Sequence, residues 1–125
     1  MHHGINDVER VGRLVICQPK GAFNMDGVKE YEADFAALVT PILGTTWGIL
    51  NEYPEFETGG PDVIDRIRAQ YRWCIANGCR YMAFYTTNPL QGFFARKTAE
   101  DVGFEEMKLF SDRQEARTWI ESKLS

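Results

Sequence analysis

The sequence predicts an α/β fold, a mixed and mostly parallel sheet of four to five strands dressed by about four helices. Three observations predict it. The last third repeats a strand-then-helix rhythm, with Tyr81 to Tyr85 followed by Asn88-Pro89 and a helix, then Phe104 to Phe110 followed by Ser111 and another. The segment Tyr81-Met82-Ala83-Phe84-Tyr85 is apolar at every position, as a strand covered on both faces should be. Strands that alternate with helices in this way require crossover connections and hence parallel pairing. With 125 residues, 44% of them hydrophobic, one compact domain over 1–125 is expected.

Each element has its own signal. Ile5 to Arg10 and Arg13 to Cys17 flank Val11-Gly12, a short hairpin whose buried member carries Leu14-Val15-Ile16-Cys17. Pro19 should end that strand's pairing, because proline has no amide hydrogen to give a ladder. Asn24 or Asp26 then caps a helix whose Val28, Tyr31, Phe35, Leu38 and Val39 recur at three- and four-residue steps, and Pro41 stops it. Trp47 to Leu50 is the next strand, and Pro54 to Pro61, with Gly59-Gly60, reads as a loop.

The second helix carries Val63, Ile64, Ile67, Tyr71, Cys74 and Ile75 on one face and ends at Asn77-Gly78. On its wet side Asp62 with Arg66 and Asp65 with Arg68 stand at spacings that allow pairing. Asn88 as cap, Pro89 at the first position and Gly103 past the end bracket a third helix with Leu90, Phe93, Phe94 and Val102. Glu106-Met107-Lys108-Leu109 alternates as an edge strand would. Ser111 with Gln114 forms a capping-box pair for a last helix that buries Ala116, Trp119, Ile120 and Leu124.

Composition narrows the function classes. A net charge of -4 with 14 scattered Lys and Arg gives no footprint for a phosphate backbone, so nucleic acid is not an expected partner. Apolar runs fall short of the about 20 residues that cross a bilayer, and the first residues lack the layout of a secretion signal, so a cytoplasmic protein is expected. Cys17, Cys74 and Cys79 have neither C-x-x-C spacing nor a nearby histidine, which predicts reduced, buried thiols and no metal site. His2 and His3 adjoin a chain start and have no fixed geometry for a ligand. With no other histidine and no convergent nucleophile and base, the chain reads as a non-enzyme without a cofactor.

The pattern resembles the STAS domain, the fold of bacterial anti-sigma-factor antagonists (SpoIIAA-like). The resemblance rests on Leu14-Val15-Ile16 leading through Gly21 to the first helix, on Trp47 to Asn51 and the loop into helix two, on Val102-Gly103-Phe104, and on the ending Leu109-Phe110-Ser111-Asp112 with Glu115-Ala116 and Trp119-Ile120. It implies a regulatory, protein-binding domain. In phosphorylated members of that family an Asp-Ser-Ser/Thr-Gly stretch stands where the loop enters helix two. Glu57-Thr58-Gly59-Gly60 is similar in position, which makes Thr58 the candidate phospho-acceptor, although glutamate, threonine and glycine replace the family's residues.

Open parallel sheets bind ligands beyond the carboxyl ends of their strands, so Lys20 to Asn24, Asn51 to Pro61 and Thr86 to Asn88 should converge on one rim. That rim is the interaction or ligand site expected here: Phe23, Asn24, Tyr53, Phe56, Glu57, Gly59, Gly60, Arg66, Thr86, Thr87 and Asn88. Its aromatics could instead simply cover strand ends. A protein partner is the first reading, and a small ligand such as a lipid or nucleotide held between helices and sheet is the alternative. Phe93 and Phe94 cannot both point along the centre of one helix face, so one could anchor a homodimer, another protein or an acyl chain. Glu52, Glu55, Glu57, Asp62 and Asp65 could supply an acid and a base or a hard-cation site, but sequence spacing fixes no mutual geometry, and they read as solvated acids of the loop and helix start.

Overall fold

A computed structural model describes residues 5–125; His2 and His3 lie outside the described residues. The strands are β1 (Ile5–Val11), β2 (Leu14–Phe23), β3 (Trp47–Glu52), β4 (Phe56–Gly59), β5 (Cys79–Tyr85) and β6 (Glu106–Phe110). Four α-helices, α1 (Met25–Val39), α2 (Pro61–Ala76), α3 (Pro89–Ala99) and α4 (Arg113–Leu124), alternate with them, and a single 3-10 turn at Thr40–Ile42 follows α1 where Pro41 blocks its continuation. The sheet runs β1-β2-β3-β5-β6, with β4 joined separately to β2. Among the described residues only β1 and β2 pair antiparallel, and every other pairing is parallel.

The predicted architecture is therefore present, with one strand more than expected. β5 is an interior strand between β3 and β6, and β6 is the edge its alternation predicts. The two faces of the sheet are covered unequally. α1, α2 and α3 bury Val28, Phe35, Ile67, Tyr71, Phe94 and their neighbours on one face. On the other, α4 alone packs Ala116, Ile120 and Leu124 on Leu14, Ile16, Leu50 and Ala83. Gly48 makes that approach possible, because a Cβ there would lie 3.2 Å from Ile120 Cδ1.

Six sequence expectations are corrected. β2 does not end at Pro19 but continues to Phe23: its pairing with β3 stops at Cys17, and beyond that its neighbours are β1 and β4. Proline only loses an amide that β3 no longer needs. The span from Pro54 to Pro61 is not wholly loop, since β4 lies inside it. The hairpin turn falls at Gly12-Arg13, one residue later than read, with Val11 opposite Leu14. α3 ends at Ala99 rather than beside Gly103, because Glu100 turns to extended backbone and Asp101 takes a positive φ of 58°. α4 is capped by Asp112, whose carboxylate accepts from Glu115 N at 2.9 Å, in place of Ser111. The wet-side arginines of α2 reach neighbouring helices, Arg66 to Glu32 on α1 and Arg68 to the carbonyls of Lys97 and Glu100 at the end of α3.

Cys17, Cys74 and Cys79 are all buried and unpaired. Burial pushes the Cys17 thiol up to about 12 and raises Cys74 and Cys79 further, while burial likewise raises Tyr31, Tyr53 and Tyr71. These groups stay protonated when folded, whereas unfolded cysteine and tyrosine release protons from pH 9 to 10. The unfolded state then binds fewer protons, so their contribution to stability is intact below about pH 9 and is lost as pH rises. Native protein at pH 8 is expected to show no thiol reacting with Ellman's reagent within minutes, and its urea midpoint is expected to fall between pH 8.5 and 10.5. A fast-reacting thiol at pH 8 would contradict the packing described.

Candidate functional site at the carboxyl ends of the strands

Backbone hydrogen bonds bring the three rim segments together. Gly21 N donates to Glu55 O at 2.8 Å, Tyr53 N to Tyr85 O at 2.8 Å, and Phe56 N to Tyr53 O at 2.7 Å. Sequence reasoning missed the residue that ties them. Gln91, only 3% exposed on α3, donates through Nε2 to Tyr53 O at 2.6 Å and Phe56 O at 3.2 Å, with Pro54 O at 3.3 Å. Its Oε1 accepts from Thr87 N at 2.9 Å. The available signal was a glutamine one turn after a helix cap, on the face beside Phe94 and Ala95.

The rim aromatics are packed inward. Phe23, Tyr53 and Phe56 are buried, with Phe56 edge-on to Phe23 at 5.4 Å and to Phe94 at 5.2 Å between ring centroids. Beneath them Asn51 Nδ2 donates to Tyr71 Oη at 3.2 Å, and Tyr31 Oη lies 3.8 Å from Cys17 Sγ. About 20 Å³ of space remains among Tyr31, Asn51, Tyr53 and Tyr71, room for a single water. That space does not admit a lipid or nucleotide unless several rings move.

The polar rim residues occupy the outer edge. Asn24 caps α1, accepting from Gly27 N at 3.0 Å, and Asn88 caps α3, accepting from Gln91 N at 2.9 Å. Thr86 N donates to Phe110 O at 3.0 Å, which ties this segment to β6. Glu57, Gly60, Thr87 and Asn88 are exposed. Arg66 meets Glu32 through two hydrogen bonds of 2.8 and 2.9 Å, which hold α2 against α1.

Thr58 is partly exposed on β4, two residues before Gly60, which is the N-cap of α2. Its φ is 75°, a left-handed value that a β-branched side chain resists. Gly59 beside it has no room for a side chain, since a Cβ would lie 2.8 Å from Val63 Cγ1 and 3.1 Å from Phe23 O. The ridge Glu57-Thr58-Gly59-Gly60 is thus pressed against the end of β2 while its outer side faces solvent.

The two adjacent phenylalanines separate as their spacing requires. Phe94 is 2% exposed and belongs to the core, which removes it from any interface, whereas Phe93 is 55% exposed and neighbours Leu90, 63% exposed. Lys97 Nζ lies 5.5 Å from the centre of the Phe93 ring. Glu52, read as a solvated acid, is instead 7% exposed and paired with Arg113 at 3.2 Å.

A six-stranded mixed sheet with three helices on one face and one on the other, and a ridge leading into α2, defines a STAS-like α/β domain. Among solved structures the chain is similar to an uncharacterised protein of the DUF3478 family with a SpoIIAA-like fold from Shewanella loihica PV-4, at a TM-score of 0.70 and 15% identity over 96% of this chain and 95% of that one. It is also similar to an anti-sigma factor antagonist from Mycobacterium paratuberculosis, at 0.62 and 15% over 95% of each chain. The anti-sigma factor antagonist SpoIIAA in its unphosphorylated form matches at 0.63 and 14%, over 94% of this chain and 98% of that one. The fold is SpoIIAA-like. No protein-family model and no curated protein matches the sequence. Among the described residues, no helix is long and apolar enough to cross a membrane.

Proposed function

We propose that the chain is a non-enzymatic regulatory domain that binds a protein partner through the ridge Glu57 to Gly60 and the first turns of α2, with Thr58 as its switch. The observation that carries this reading is the φ of 75° at Thr58. A β-branched residue held there costs roughly 1–2 kcal/mol relative to glycine, and strain of this kind is retained where a surface is built for use. The likeness to anti-sigma factor antagonists supports it, one of them having been solved in its unphosphorylated form.

Electrostatics at the ridge are balanced. The open amide groups at the start of α2 favour an added phosphate, and Glu55, Glu57 and Asp62 oppose it. A modified Thr58 would therefore carry its extra charge outward, to a partner, rather than order the domain around itself. The test is phosphopeptide mapping of protein from its own cells, together with partner capture by wild type and by Thr58→Glu. The expected result is a phosphate on Thr58 under some growth condition and a partner whose recovery falls about tenfold with the glutamate. Unmodified Thr58 in every condition, with the same partners recovered by both proteins, would sink the reading.

A further inference from the structure

A second cleft, of about 270 Å³, lies at the carboxyl ends of β2 and β3 on the face covered by α4. Its charges are layered. Glu52, 7% exposed, forms the floor; Gln18 Nε2 donates to its Oε1 at 2.5 Å and Arg113 Nε lies 3.2 Å from its Oε2. A carboxylate offers about four acceptor positions, so these partners leave roughly half of them unfilled. The cations stand higher. Arg113, 59% exposed, lies over the Tyr85 ring at 5.2 Å, and Lys20, 44% exposed, is bound to Asp7 and Glu55 at 3.3 and 3.5 Å.

Glu55, 68% exposed, lines the same outer layer and, with Asp7, takes up the charge of Lys20, so the outer charge that bears on a ligand is Arg113. A buried acid beside an exposed arginine selects a ligand with its positive end inward and its negative end towards that arginine. The unfilled acceptor positions require N–H donors, which a primary ammonium has and a quaternary one lacks. Arg113 stands directly beside Glu52, so the two charges of the ligand must be close, as they are when one carbon separates amine from carboxylate. We propose that this cleft binds an amino-acid-sized zwitterion, its ammonium on Glu52 and its carboxylate towards Arg113. The cleft shares no residue with the ridge at Thr58, and this proposal does not depend on the regulatory reading.

The probes are L-alanine and L-serine at up to about 10 mM, with trimethylglycine, acetate and methylamine as comparisons, followed by calorimetry and by amide chemical shifts of the whole chain. Alanine or serine is expected to give saturable shifts confined to residues 18–20, 52–55 and 113. Trimethylglycine and acetate are expected to bind at least about tenfold more weakly, and Glu52→Gln to lose about tenfold or more. Arg113→Ala, on an exposed side chain, should weaken binding about threefold to tenfold, and it carries the test if Glu52→Gln does not fold. Thr58→Glu should leave binding unchanged. No saturable shift with either amino acid, equal binding of trimethylglycine, or full affinity in a folded Glu52→Gln or in Arg113→Ala would overturn the proposal.

Discussion

Replacing Gly78 with alanine is expected to destabilise the protein by about 4 kcal/mol, and to lower its melting temperature by about 15 °C. Gly78 follows the C-cap Asn77 of α2 with a φ of 108°, and a Cβ built on it would lie 2.0 Å from the carbonyl oxygen of Thr45. That oxygen belongs to backbone and cannot rotate aside. The strand that follows begins from the same junction: Gly44 N donates to Asn77 O at 2.8 Å, Trp47 N to Gly78 O at 3.3 Å, and the Trp47 indole to Asn77 O at 2.9 Å. Any shift that relieves the clash therefore breaks the end of α2, the start of β3 and the seat of a tryptophan with 0% exposure.

The magnitude combines two effects, each of about 1–3 kcal/mol, the unfavourable φ and the forced overlap. Gly44 separates them, since its φ is 86° yet nothing lies within 4 Å of a Cβ built there. Gly44→Ala should cost only about 1–2 kcal/mol. Urea unfolding of both variants gives the comparison. A Gly78→Ala protein within about 1 kcal/mol of Gly44→Ala would show that the junction is looser than its geometry states.

How far the fold was legible follows from which signals are local. α1 and α2 were readable because their apolar residues repeat at helical steps over fifteen and sixteen residues and their termini carry Asn24 and Asn77-Gly78. β5 was readable because five apolar residues in a row leave no face for water. β4 was not, since Glu57-Thr58-Gly59 between two prolines has the composition of a breaker, and only the distant end of β2 makes it a strand. Ser111 and Asp112 each stand three residues before a glutamine or glutamate, so two candidate capping boxes are offset by one residue, and the second is the one used.

The site was legible as a place and not as a mechanism. Strand ends had to converge, and they do, but pattern alone does not say whether an aromatic points at solvent or at another ring. Phe23, Tyr53 and Phe56 turn inward because Phe94, on a helix far along the chain, supplies the surface they close upon. Glu52 was misread for the same reason: its burial depends on Gln18 and Arg113, which come from elements 34 residues before it and well after it. Long-range partners of polar side chains leave no periodic trace in a sequence.

Gln91 is where those long-range contacts meet, and Gln91→Leu is expected to cost about 3 kcal/mol although leucine fits the volume and suits a helix. One side chain serves two rim segments, giving its Nε2 hydrogens to the carbonyls of Tyr53, Pro54 and Phe56 and accepting from Thr87 N. Leucine would leave these backbone groups short of partners, each buried group costing about 1–3 kcal/mol unless water enters. The damage should be local as well as global. Hydrogen exchange at Thr87 is expected to accelerate at least about tenfold relative to the β5 amides, and β4, which hangs between β2 and this glutamine, should lose protection next.

Gln91→Glu makes the same argument with a pH axis. A carboxylate there would face three carbonyl oxygens, so the folded protein holds the new acid protonated and its pKa is raised above the unfolded value. A raised folded pKa means that the folded state binds more protons, so the stability of the variant relative to wild type should be least impaired at low pH and should fall as pH rises through the usual carboxylate range and above. Gln91→Leu, having no titrating group, should show a deficit that does not change with pH. Parallel deficits for the two variants from pH 4 to pH 8, or unchanged exchange at Thr87 in Gln91→Leu, would mean that the rim is assembled by its aromatic rings and not by this amide.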